Sequence, residues 1–268
     1  MARHVSLIIL ISVLGILIAG CASSGSASCK TAADCGPKKC QTAACTKNEC
    51  AYTPKQNCCG NGIKDSLEDG KPGNSCTCPT DHGACDGKAQ IAYGTSRPYD
   101  ATYVKKYCSQ QQCVMGVDPR ELKPTTLLEE KKLNSFDIEV VASFNQPFRV
   151  PTDSFSFRIT LKNAKEEVVY PIKFTHVTLR EGEVLYGENG ISATLEKIGD
   201  VATFNVPLIY HLSRAEEDHR ITYKMDYEYT LNTQVRNSSG TTTVPKFIRE
   251  STEYRFATKI IFAQDGIS

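Results

Sequence analysis

The sequence predicts a mainly β chain in two parts: a disulfide-rich module of loops and hairpins, followed by an antiparallel β-sandwich. Two observations carry this reading. Of 13 cysteines, twelve lie between Cys29 and Cys113, and none follows Cys113. From Asn134 onward, apolar residues recur with period two, parted by turn-forming segments. With 268 residues, the chain has room for one or two domains behind an export signal. Lys+Arg is 31 and Asp+Glu is 30. This balance gives no electrostatic argument for nucleic acid, which needs a basic footprint.

The first element is an export signal over residues 1–20. Arg3 and His4 precede an apolar run, Val5 to Ala19. Fifteen residues of helix rise about 22 Å, short of a hydrocarbon core of about 30 Å, so the run reads as a signal core rather than a membrane span. The run ends Leu17-Ile18-Ala19-Gly20-Cys21, which resembles the lipobox of lipoproteins. The resemblance implies that Cys21 is lipidated and becomes the mature N-terminus. That would account for the odd cysteine. An ordinary cleaved signal or an uncleaved anchor is the alternative. Residues 21–28 continue in small polar residues, a flexible tether.

The disulfide module is expected over residues 29–115. Its cysteines are Cys29, Cys35, Cys40, Cys45, Cys50, Cys58, Cys59, Cys76, Cys78, Cys85, Cys108 and Cys113. An even count in a short exported stretch is a disulfide signature, and its pairing cannot be read from spacing. The intervening residues are poor in Leu, Ile, Val and Phe, so cross-links must replace a core. Zinc is the rival. It prefers CxxC or CxxxxC pairs and often His; Cys40 to Cys45 to Cys50 and Cys108 to Cys113 have the latter spacing, but this stretch has no CxxC and only His82, and exported thiols oxidise. Asp65, Glu68 and Asp69 before Gly70 could offer oxygens to Ca2+, but an EF-hand pattern is absent and a solvated turn is favoured. Tyr93, Tyr99, Tyr103 and Tyr107 are expected as core fillers ahead of a recognition surface.

The spacing Cys29-x-x-x-x-Asp34-Cys35, then Cys40, Cys45 and Cys50, then Cys58-Cys59-Gly60-Asn61-Gly62 and Cys76-x-Cys78-Pro79-x-Asp81, is specific. It resembles the cysteine-rich repeats of prokaryotic secreted and surface proteins. The chain departs from that pattern at Lys64 and His82, where cysteines are common. Loss of both members of one bridge keeps the count even. The resemblance covers about a third of the chain and implies an extracellular structural or adhesive module.

Residues 116–133, with Pro119 and Pro124, read as a linker, and a short helix over Thr126 to Lys132 fits behind Thr125 or Thr126 as cap. The sandwich is expected over residues 134–268. Alternation is strongest at Phe136 to Phe144, Phe155 to Leu161 and Ile221 to Leu231. Weaker strands fit Val168 to Leu179, Val184 to Tyr186, Ile191 to Lys197, Val201 to Leu208, Thr242 to Ile248 and Tyr254 to Phe262. Turns are expected at Gly187 to Gly190 and Ser238 to Gly240, and a helix has room only around Ser213 to Asp218. Asp137-Ile-Glu-Val-Val and Phe155 to Asn163 are similar to the first two strands of immunoglobulin-like modules of prokaryotic surface proteins. The resemblance implies a fold and no function.

No catalytic constellation stands out. His176, His211 and His219 lack metal-ligand spacing, and no Gly-x-Ser-x-Gly or phosphate loop occurs. Glu216, Glu217 and Asp218, with Arg214, His219 and Arg220, read as a solvated turn. Asn237-Ser238-Ser239 fits the N-glycosylation pattern. The expectation is therefore a surface protein held to the outer face of the cell membrane by lipid on Cys21, with no cofactor. Its role would be binding, adhesion or structure, with a protein, glycan or envelope component as ligand. The alternatives are a secreted hydrolase or metal-dependent enzyme using carboxylates of the β half, and a surface assembly subunit. A pocket in which carboxylates converge, or in which His meets carboxylates, is the feature that separates the enzyme from the rest.

Overall fold

The structure is a computed structural model; it describes residues 28–92, 94, 96–238 and 240–265. Cys21 and Tyr93 lie outside the described residues.

The cysteine module is a chain of small hairpins held by bridges. β1 (Gln41–Thr46) pairs with β2 (Glu49–Pro54), and β3 (Leu67–Glu68) with β4 (Lys71–Pro72). One helical turn, Pro79–His82, follows. Then β5 (Lys88–Ile91), β6 (Tyr99–Ser109) and β7 (Gln112–Val117) form a three-stranded sheet. All twelve cysteines are paired: Cys29–Cys45, Cys35–Cys50, Cys40–Cys58, Cys59–Cys78, Cys76–Cys108 and Cys85–Cys113. Two hairpins use one device. Cys45 lies opposite Cys50, and Cys108 opposite Cys113, and each of the four bonds a cysteine from an irregular segment instead of its cross-strand neighbour. The loops are thereby stapled to the hairpins.

The remaining strands are β8 (Lys123–Lys132), β9 (Phe136–Gln146), β10 (Phe148–Val150), β11 (Ser154–Ala164), β12 (Val168–Glu181), β13 (Val184–Leu195), β14 (Val201–Pro207), β15 (Glu216–His219), β16 (Thr222–Asn237), β17 (Gly240–Arg255) and β18 (Ile260–Gln264). One sheet runs β14-β11-β9-β8, the other β13-β12-β16-β17, and every pairing within both is antiparallel. With β9 as the first strand, the sheets carry the A-B-E and C′-C-F-G sets of an immunoglobulin-like sandwich. β8 is an extra edge strand, and β10-β18-β15 forms a third small sheet.

The period-two residues build the core. Phe136, Ile138, Phe155, Phe157, Ile159, Phe174, Tyr223 and Met225 are all at most 3 % exposed and form one cluster between the sheets. Rings interlock within it: Phe148 stacks on Phe155 at 4.7 Å, and Phe136 meets Tyr227 and Tyr229 edge-on. Burial of one such side chain contributes about 1.5–3 kcal/mol, and this cluster is far larger than the apolar cluster of the cysteine module.

Several expectations change. Thr126 to Lys132 is not helix but part of β8, paired along its length with β9. A lone seven-residue helix is marginal, whereas a strand there gains a full ladder. Residues 116–133 are also more than a connector: Val117 is fully buried and Asp118 is 4 % exposed. Val184 to Leu195 is one strand, so Gly187 to Gly190 is no turn. There the strand runs so close to its neighbour that a Cβ on Gly187 would stand 2.3 Å from the Pro207 carbonyl oxygen. Tyr254 to Phe262 is split between β17 and β18. At the other expected turn, Ser238 to Gly240, the chain does reverse, pairing Asn237 with Gly240. Tyr99 is 48 % exposed, and Tyr103 and Tyr107 are only half-buried. The small core there is Ile91, Ala101, Val104 and Val117, packed on Ala215 and Ala263 of the β half.

Candidate functional site

Ser213 to Asp218, where a helix had room, leads into β15 instead, and Glu216 to Asp218, expected as a solvated turn, lies in that strand with Glu216 and Glu217 buried and Asp218 exposed. Glu216, Glu217 and His219 are each 8 % exposed. β15 pairs with β18, and the pair sits where the cysteine module meets the sandwich.

Glu216 faces the module. The β5–β6 register slips so that Lys88 pairs with Lys105 while Gln90 pairs with Asp100. The bulged residues turn successive amides inward. Glu216 accepts hydrogen bonds from Thr102 at 2.9 Å, from Val104 at 2.6 Å, and from the Tyr103 amide between them. A row of backbone N–H groups is a natural anion nest.

Glu217 faces the sandwich. Its Oε1 accepts from the Ser213 amide at 2.9 Å, the Ser213 hydroxyl at 2.7 Å and the Arg214 amide at 3.1 Å. Its Oε2 accepts from the Tyr210 hydroxyl at 3.2 Å. Burial opposes the charge, but the bonds from Ser213 and Tyr210 outweigh it, and the carboxyl is held below its ordinary range.

His219 bridges two carboxylates. Nε2 lies 3.2 Å from Glu217 Oε2, and Nδ1 lies 3.1 Å from Glu181 Oε2 and 2.8 Å from the Tyr186 hydroxyl. A neutral ring donates from Nε2 to Glu217 and accepts from Tyr186; an imidazolium donates to both carboxylates. Glu181 also accepts from the Arg220 amide at 2.9 Å. Burial works against its charge too, yet that amide and His219 hold it below the usual range. Burial next to Glu181 pushes the Tyr186 hydroxyl well above the ordinary tyrosine range.

Beside this network lies a cleft of about 470 Å³, lined from both halves by Tyr99, Thr102, Glu217, Asp218, His219 and Lys259, among others. His with carboxylates is the arrangement that would favour an enzyme. The connectivity is hydroxyl–carboxylate–imidazole, however: Ser213 and His219 both bind Glu217, and Ser213 has no imidazole as its base. Glu216 and Glu217 already accept three and four bonds, apart from His219. Glu216 joins the β half to the cysteine module, while the Glu217–His219–Glu181 network lies within the β half, and the cleft offers charges of both signs at its rim, such as Lys259 3.4 Å from Asp218.

The other expected residues are dispersed. His176 lies on β12, 3.6 Å from Glu188 and 3.8 Å from Asp226, in surface ion pairs. His211 borders a small pocket beside Pro151 and Asp265. Asn237 ends β16 next to the hairpin reversal. Asp69 and Gly70 form an exposed turn between β3 and β4, but Glu68 is 1 % exposed and Asp65, partly buried, accepts from the Asn57 amide at 2.8 Å. His82 lies against the carbonyl of Asp65, next in sequence to Lys64, so the two positions that depart from the repeat pattern are brought near each other. Every clustered sulfur is taken up in a bridge, leaving no thiolate in that set to ligate zinc. Comparison with protein-family models, curated proteins and solved structures finds no match.

Proposed function

We propose that this chain is a membrane-anchored extracellular protein with a binding, adhesive or structural role, tethered by lipid on Cys21. The observation that carries the reading is the set of six cystines in a region with almost no apolar core of its own. Such bridges persist in oxidising surroundings and are rare where thiols are kept reduced. The fit of the cysteine module against the sandwich adds support, because it joins the two halves into one body for display. The ligand is a protein, a glycan or an envelope component. Labelling of intact cells with a membrane-impermeant reagent is the test. The chain is labelled if the reading holds, and a chain labelled only after lysis defeats it.

A second reading, a secreted hydrolase, draws on the meeting of His219 with Glu217 and Glu181 beside a cleft. It requires turnover of chromogenic esters or glycosides that His219→Asn abolishes while the fold is kept. Absence of turnover by the wild-type chain removes it.

A further inference from the structure

We propose that Glu68, His82 and the carbonyl of Asp65 hold one divalent transition ion of the zinc class. The proposal is independent of the ligand-binding reading above.

Glu68 is the starting point. Its side chain is fully buried under the β3–β4 turn. A buried carboxylate needs partners in proportion to its charge. Oε1 accepts one amide bond, from Asp65 at 3.2 Å, and Oε2 has no hydrogen-bond partner. No lysine or arginine forms an ion pair with Glu68 among the described residues; its charged neighbour is His82, with Nε2 3.6 Å from Oε1. The same Nε2 is 3.2 Å from the Asp65 carbonyl oxygen. One imidazole N–H can serve one of these two oxygens well, not both.

The spacing suits a cation. Ligand atoms about 2.1 Å from a tetrahedral centre stand about 3.4 Å apart. The contacts from Nε2 measure 3.2 and 3.6 Å. An imidazole nitrogen with a carboxylate and a carbonyl oxygen is a mixed N/O set, which favours zinc-class ions over Ca2+. The surroundings are shaped for close approach: a Cβ on Gly73 would stand 1.9 Å from the Asp65 oxygen and 2.9 Å from His82 Nε2, so only glycine fits there. His82 keeps 15 % of its side chain exposed, enough for entry and for water to complete the sphere. The disulfides on either side, Cys40–Cys58 and Cys59–Cys78, leave the site to N and O donors.

The test is calorimetric titration of the metal-stripped full chain in mild detergent, with ZnCl2 alone and CaCl2 alone, after thiol labelling shows all bridges intact. One equivalent of Zn2+ binds, Ca2+ binds more weakly, and Glu68→Gln and His82→Gln each weaken Zn2+ at least tenfold. Absence of Zn2+ binding, Zn2+ binding unmoved by both substitutions, or tighter binding of Ca2+ overturns the proposal. Should a variant fail to form its bridges, the wild-type chain loaded with Co2+ decides. Paramagnetic shifts of the His82 ring protons support the site, and an unshifted His82 ring overturns it.

Discussion

The carboxylate of Glu216 accepts the amide of Val104 at 2.6 Å across a sequence separation of 112 residues. With the Thr102 and Tyr103 amides, this joins the last sheet of the cysteine module to β15. Removal of an anionic acceptor from buried donors leaves each donor unsatisfied, at about 1–3 kcal/mol apiece when fully enforced. Glu216→Ala is expected to lower unfolding free energy by about 3 kcal/mol in a denaturant titration. Proteolysis near Pro119–Glu121 should accelerate as the halves separate. A variant with unchanged stability and cleavage would show that the clamp does not couple them.

Acid should weaken the carboxylate network beside that junction, within the β half and at Asp118. The folded-state pKa values of Glu181 and Glu217 are depressed, and that of Asp118 is held at about 2 by its bonds to the Arg120 guanidinium. Depressed carboxyls stabilise the fold above their unfolded pKa values, about 3.9 for Asp and 4.3 for Glu, and lose that contribution as pH falls through the folded values. Stability is therefore expected to be level in carboxylate terms near neutrality and to decline below about pH 4.5. Glu217→Gln should flatten part of the decline. A wild-type acid slope retained in full by that variant would contradict the assignment.

Reduction should separate the two halves by their sources of stability. Each bridge contributes about 2–4 kcal/mol, and all six lie before residue 114. The sandwich contains no cysteine and keeps its aromatic core. With excess reductant, hydrogen exchange is expected to accelerate throughout residues 29–92 while the amides of β11, β12 and β16 stay protected. Equal loss of protection in both halves would mean that the sandwich depends on the bridges.

Two phenylalanines should respond differently. Phe157 is fully buried, stacks on Phe204 at 5.5 Å and meets Tyr223 edge-on, so Phe157→Ala is expected to cost about 3–5 kcal/mol. Phe247 is 55 % exposed on β17, and Phe247→Ser should change stability by about 0.5 kcal/mol or less. Thermal or chemical melts compare them directly. A comparable loss at Phe247 would reveal a packing partner for that face.

Much of the sandwich was legible because strands with one wet face write their burial into the order of residues. Phe136 to Phe144, Phe155 to Leu161 and Ile221 to Leu231 all became strands with their apolar members inward. β8 was harder: Thr125-Thr-Leu-Leu-Glu-Glu-Lys-Lys132 fits a helix face as well as a strand. Its ladder with β9 decides between them, and that is a non-local interaction. The buried acids were the largest miss. Nothing in Glu216-Glu217-Asp218-His219 distinguishes it locally from a solvated turn; its charges are tolerated because donors arrive from Thr102 to Val104, Ser213 and Tyr210, and Glu181 offers His219 an acceptor.

By itself the sequence determined the mainly β character of the chain, the disulfide-rich character of its first half and the period-two faces of its second. Those are properties of composition and short-range order. The pairing of the twelve cysteines, the burial of Glu68 and Glu216, and the meeting of His219 with two carboxylates were decided only by tertiary structure. A sulfur, an amide or a carboxylate carries no mark of its partner in the chain. Which partner it meets depends on the loops closed and the apolar faces brought together when the whole chain folds.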